Sequence, residues 1–123
     1  YYDIVANYKV CSEVNLGLHA FTSTEEGLAP SSGSAWVNGM SLYVQTQLSD
    51  RFFLNLRQEF YNDPFGIRSG NPAHIRALTL TPEYRITPEW AVRLDVRFDK
   101  SSTPIFEGRN YQKSLFFQQT LKF

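Results

Sequence analysis

"WAVRLDVRFDK", residues 90–100, alternates with a period of two from Trp90 to Asp99. Trp90, Val92, Leu94, Val96 and Phe98 fall on one face of an extended chain, with Ala91, Arg93, Asp95, Arg97 and Asp99 on the other. A helix would scatter both sets around its circumference, so the stretch reads as a strand. Two environments suit such a strand. A soluble sheet buries the apolar face and wets the charged one, whereas a membrane barrel turns the apolar face to lipid and keeps the charges inside. At the level of this stretch both stay open.

The same pattern recurs twice upstream. Aligning "KVCSEVNLGLHAF" (9–21), "QLSDRFFLNLRQEF" (47–60) and "RITPEWAVRLDVRF" (85–98) superimposes Val10, Leu48 and Ile86 at a constant offset of 38 residues. Each copy carries an apolar residue and a three-residue polar turn, then apolar residues at every second position: Val14, Leu16, Leu18; Phe52, Leu54, Leu56; Trp90, Val92, Leu94. This is a tight β-hairpin repeated three times. Between the copies lie "TSTEEGLAPSSGS" (22–34), "NDPFGIRSGNPA" (62–73) and "KSSTPIFEGRNYQK" (100–113), where Gly, Pro, Ser and Asn mark loops. The chain therefore predicts seven strands, at 1–10, 14–22, 35–48, 51–61, 74–86, 90–99 and 114–123, joined alternately by short turns and long loops.

Short turns on one side and long loops on the other are the pattern of outer-membrane barrels, whose periplasmic turns are short and outer loops long. On that pattern the last strand ends on the periplasmic side, and seven strands place Tyr1 on the outer side. Single-chain bacterial barrels have an even strand number. The expectation is an all-β, antiparallel, transmembrane up-and-down β-barrel of which residues 1–123 supply about seven C-terminal strands, as one part of a single barrel domain with further strands upstream.

The predicted apolar face supports this reading through its aromatic residues. Tyr8, Phe52, Tyr84, Trp90 and Phe123 sit beside the short turns, and Tyr2, Trp36, Phe60 and Phe98 toward the loops. Phe52 to Phe60, like Trp90 to Phe98, spans about 19 Å of membrane normal at strand rise and usual barrel tilt. Two aromatic belts bounding a lipid-facing band would look like this. The opposite face carries Arg57, Glu59, Glu83, Arg85, Arg93, Asp95, Arg97, Asp99 and Lys122, a ladder of mixed sign suited to a lumen. Thr46, Gln58, His74, Arg76, Pro82 and Gln119 fall on the apolar face against the pattern. For Gln58 and Gln119 a subunit interface or a register shift at a bulge both stay open. His74 and Arg76 lie at headgroup level.

Composition removes several function classes. Twelve Lys and Arg balance twelve Asp and Glu, which argues against a nucleic-acid partner. The single cysteine, Cys11, cannot form an internal disulfide or a cysteine-based zinc site. No strongly apolar run exceeds three residues, which excludes a membrane helix but not a barrel strand. His19 and His74 fall on opposite predicted faces, so no metal site is expected. Nucleophile elbows and phosphate-binding glycine loops are absent, and the arginines answer the carboxylates that acid–base chemistry would need. Neither catalysis nor a cofactor is expected.

"LSDRFFLNLRQEFYNDPFGIRSG", "LTLTPEYRITPEWAVRLDVRFDKS" and "SLFFQQTLKF" together resemble the C-terminal half of the OmpL-like β-barrel porins of Gram-negative bacteria. The matching residues are Arg57, Glu59, Phe60 and Asp63; Leu80 to Arg85; Arg93, Asp95, Arg97, Phe98 and Asp99; and Phe123, so the resemblance covers 36–123. It implies an outer-membrane location, with membrane lipid and lipopolysaccharide as surroundings, and a porin-like channel for passive passage of small polar solutes or ions. Phe117, Leu121 and Phe123 resemble the C-terminal signal read by the barrel assembly machinery, and homo-oligomers or outer-membrane complex partners are compatible. The competing readings are a closed barrel acting as anchor or sheath in an outer-membrane complex, and a soluble ligand-binding β-barrel.

Overall fold

A computed structural model describes residues 1–27 and 33–121. Seven strands follow in chain order: β1 (Tyr2–Lys9), β2 (Val14–Glu25), β3 (Ala35–Gln47), β4 (Phe52–Asp63), β5 (Ala73–Arg85), β6 (Trp90–Ser101) and β7 (Tyr111–Leu121). Each pairs antiparallel with its sequence neighbours in one sheet of order β1 to β7. The all-β class, the antiparallel meander and the number of strands are those predicted from the sequence. The sheet is open among the described residues, and β1 and β7 are its two edges.

The 38-residue repeat is one turn built three times. The amides of Val10, Leu48 and Ile86 donate to the carbonyls of Val14, Phe52 and Trp90 at 2.9, 2.9 and 2.8 Å. The next amides, of Cys11, Ser49 and Thr87, donate to the same three carbonyls at 3.4, 3.2 and 3.2 Å. Ser49 and Thr87 hydroxyls return a bond by accepting the amides of Phe52 and Trp90, each at 3.1 Å. Cys11 stands at the equivalent position of the first turn, where its thiol is a weaker acceptor.

At the long-loop ends the predicted boundaries need correction. β2 runs on through Glu25, because Ser23, Thr24 and Glu25 pair with Val37, Trp36 and Ala35. β4 reaches Asp63, and β6 and β7 extend to Ser101 and back to Tyr111, with Lys100 opposite Tyr111. These ends are polar, so composition marks them as loop. The ladder nevertheless continues, because a strand leaving an apolar band for water keeps its pairing while its side chains change character. Lys122 and Phe123 lie outside the described residues.

Between β4 and β5 the chain turns around a carboxylate. Asp63 is wholly buried and accepts the amides of Ile67, Arg68 and Ser69 at 3.0, 2.9 and 2.8 Å, plus the Ser69 hydroxyl at 2.8 Å. Gly66 has a φ of 69°, and a Cβ there would lie 2.7 Å from the Asn71 backbone. Only glycine suits both the left-handed conformation and the close approach.

Register places the two predicted faces as the alternation requires, with no bulge among the described residues. Gln58 lies on the apolar face and satisfies its amide by donating to the carbonyls of Ala77 and Glu59 at 3.0 and 3.2 Å. Gln119 lies there too, opposite Val92. The register-shift alternative is thereby removed. Pro82, which has no N–H, interrupts the β5–β6 ladder between Leu80↔Val96 and Glu83↔Arg93 without changing the register. Thr81 bridges the gap by donating its hydroxyl to Asp95 at 2.6 Å.

Burial follows the charged face. Ala35, Val37, Phe53, Asp63, Ala73, Ala77, Thr79, Glu83, Asp99 and Ser101 are the buried residues, and register puts every one on the face that carries the charges. On the apolar face of the inner strands, Trp36, Met40, Leu42, Leu56, Phe60, Leu78, Trp90, Leu94 and Phe98 stay 37% to 45% exposed. No second layer covers either face among the described residues, so the crowding comes from the sheet curving toward its polar side. This inverts the order of a water-soluble sheet.

Candidate functional site: the charged inner face

β4, β5 and β6 carry the predicted charge ladder, and all of its described members share one face. Glu83 on β5, with a side chain only 3% exposed, receives Arg93 Nε at 2.6 Å and Arg85 Nε at 3.1 Å. Arg97 on β6 is held by Asp99, with Nε to the two carboxylate oxygens at 3.0 and 3.1 Å, and by Glu59 on β4. Glu59 also faces Arg57 Nε at 3.3 Å.

The Arg97–Glu59 contact skips a strand. Arg97 pairs with Thr79 and Glu59 with Ala77, both on β5, and these small residues are buried beneath the guanidinium. Larger side chains at 77 and 79 would block the crossing. Arg85 is further fixed by lying 3.8 Å above the centroid of the Phe53 ring, a cation–π contact at the short-turn end.

Asp95 departs from the expectation that every lumen carboxylate is answered by an arginine. Its partners are the Thr81 hydroxyl at 2.6 Å and the Gln118 amide at 3.3 Å, with no cation in salt-bridge range among the described residues. It opens onto a trough of about 410 Å³ whose walls include Asn15, Tyr43, Gln45, Asn55, Arg93 and Asp95. The trough joins two sectors: ion pairs on β4 to β6, and on β1 to β3 a lining without charge that includes Asn7, Asn15, Tyr43 and Gln45.

Sequence reasoning missed how the polar face of β2 and β3 is built. Tyr43 stands opposite Gly17, and Phe21 opposite Gly39. A Cβ on Gly39 would lie 2.5 Å from the Phe21 ring, and one on Gly17 would lie 3.3 Å from Tyr43 Cβ. Each glycine is the seat of an aromatic side chain from the neighbouring strand. An aromatic opposite a glycine on the polar parity was the available signal. Phe21 extends into an aromatic row with Tyr61 at 6.1 Å and Tyr1 at 6.3 Å.

His19 accompanies Asp3 on this face at 2.8 Å, while His74 lies on the apolar face, as their parities predicted. Of the predicted interface aromatics, Tyr8, Phe52, Tyr84 and Trp90 lie on the apolar face near the short turns, and Trp36, Phe60 and Phe98 on the same face toward the loops. Phe117 and Leu121 share that face on β7. Lys122 and Phe123, predicted in the lumen ladder and at the interface, fall outside the described residues.

The arrangement is a wall: one polar, ion-paired face and one greasy face of strand length. A family model described as "Putative beta-barrel porin-2, OmpL-like" matches residues 1–122, taking in the first 35 residues, for which sequence inspection named no motif. No curated protein and no solved structure matches the chain.

Proposed function

From the premise that the chain belongs to the OmpL-like β-barrel porin family, we propose that its seven strands form part of the wall of an outer-membrane channel. The charged face lines a water-filled passage for small polar solutes or ions, taken passively and without catalysis. The open edges of β1 and β7 are closed by strands outside this sheet.

One observation carries this reading. Every buried residue among the described ones lies on the charged face, and the apolar face is the exposed one. In water such a sheet would expose a continuous apolar surface far beyond what soluble monomers tolerate, which weighs against the soluble barrel. The ion pairs of the ladder lie within one strand or link neighbouring or next-neighbouring strands along the wall, so their formation leaves the passage open and favours a channel over a closed sheath. Because both signs line the passage, selectivity between cations and anions is expected to be weak.

The test is reconstitution of the full-length protein in a planar bilayer. Discrete conductance steps with comparable permeability to potassium and chloride are expected. A protein that inserts without producing conductance would overturn the channel reading in favour of the closed barrel.

A further inference from the structure

Charges on the apolar face are few, of one sign and clustered. Every carboxylate carried by a strand belongs to the charged face, and the remaining ones sit in turns and loops. The apolar face carries three full cations, Arg76, Lys100 and Lys113, with His74 two residues from Arg76. All four side chains are exposed.

They are also neighbours. Arg76 on β5 stands directly opposite Lys100 on β6. Lys113 on β7 stands opposite Phe98, one diagonal step from Lys100. The group occupies the long-loop ends of β5 to β7. No strand residue carries a charge on the apolar face of β1 to β3, or at the short-turn end of this face.

None of the four has a carboxylate within salt-bridge distance among the described residues, unlike the arginines of the ladder. Aromatics flank them instead: the Arg76 guanidinium and the Lys113 ammonium each lie 5.9 Å from a ring centroid, of Phe60 and Phe98. A cation on a barrel's lipid face is costly near the midplane and nearly free at the interface, where its stem covers apolar surface and its head reaches the polar layer. A cluster of such cations has an electrostatic reason when that layer supplies anions.

We propose that Arg76, Lys100 and Lys113 bind the phosphates of a lipid headgroup in the leaflet on the long-loop side. The site is distinct from the channel but rests on the membrane reading above. A lipid fits because the cations border Phe60, Leu78 and Leu115, exposed apolar residues that would meet acyl chains. Three cations on adjacent strands spread over about 10 Å at usual strand spacing, wider than one phosphate group. A glycolipid headgroup bearing two phosphates matches that width.

The full-length protein in zwitterionic detergent is titrated with lipid A, which carries two phosphates, and separately with inorganic phosphate. Binding is read from the shift in the heat-unfolding midpoint. Lipid A is expected to raise the midpoint, and Arg76→Gln/Lys100→Gln/Lys113→Gln to weaken its affinity about 100-fold, at about fivefold per cation. Inorganic phosphate at equal concentration produces no shift, and Arg51→Gln, in a short turn, leaves lipid binding unchanged. Should the triple variant not fold, Lys113→Gln alone, on the edge strand, carries the test with about a fivefold loss. Equal lipid A affinity in variant and parent, or an equal response to free phosphate, overturns the site. A protein that stays dispersed without detergent would defeat the membrane reading itself, a failure told apart by that solubility.

Discussion

Asp63 shows how one side chain can organise a connection. Its carboxylate gathers three consecutive amides and a hydroxyl in the segment that links β4 to β5. An amide at this position keeps the shape but turns a donor group toward donors. Asp63→Asn is therefore expected to cost about 1–3 kcal/mol locally, as a buried unsatisfied polar group does. The loop should loosen without the barrel unfolding. Limited trypsin digestion tests this, with faster cleavage after Arg68 expected in the variant. Cleavage at the parent rate would mean that Gly66 and the flanking strands shape the loop without help.

At the scale of the element, β5 is where the wall is tied together. Glu83 on it joins Arg85 to Arg93, while Ala77 and Thr79 leave room for Arg97 to reach Glu59 across it. Removing the Glu83 charge strands two guanidinium groups, but these are 45% and 40% exposed and water answers part of the loss. Glu83→Gln should then destabilise by about 1–2 kcal/mol, toward the lower end for a group hydrogen-bonded to charge. Asp95→Asn, which breaks no ion pair, should cost less. Heat unfolding of both variants in detergent is the check, and equal losses would show that the ion pairs are not what holds β5 in place. In the bilayer, Glu83→Gln should also shift selectivity toward anions.

At the scale of the whole molecule, the channel reading proposed above takes the two rows of aromatics on the apolar face as the borders of the band that would meet lipid. Trp36 and Trp90 occupy opposite ends of the apolar face. In vesicles, each tryptophan kept alone should be quenched more by lipids brominated near the headgroup than by lipids brominated at the acyl ends, as belt residues sit at the interface. The reverse order for either would place it inside the hydrocarbon and move the belt.

Much of this molecule was legible in its residues, and the limits have physical causes. The period of two in "WAVRLDVRFDK" assigned faces correctly across the sheet, because side-chain direction in a strand depends on parity alone. The 38-residue offset likewise announced three equivalent turns, because a tight turn is a local hydrogen-bond pattern. Strand ends were less legible. Pairing there depends on the neighbour and not on polarity, so composition marks Lys100 and Lys113 as loop and hides the basic cluster on the apolar face.

The sequence by itself determined the fold class, the two faces and the alternation of turn and loop, all consequences of local geometry repeated along the chain. Only the tertiary structure decided which arginine meets which carboxylate, which glycine seats which aromatic, and that the charged face is the crowded one. Those facts depend on register and curvature between strands far apart in the chain, and no local pattern encodes them.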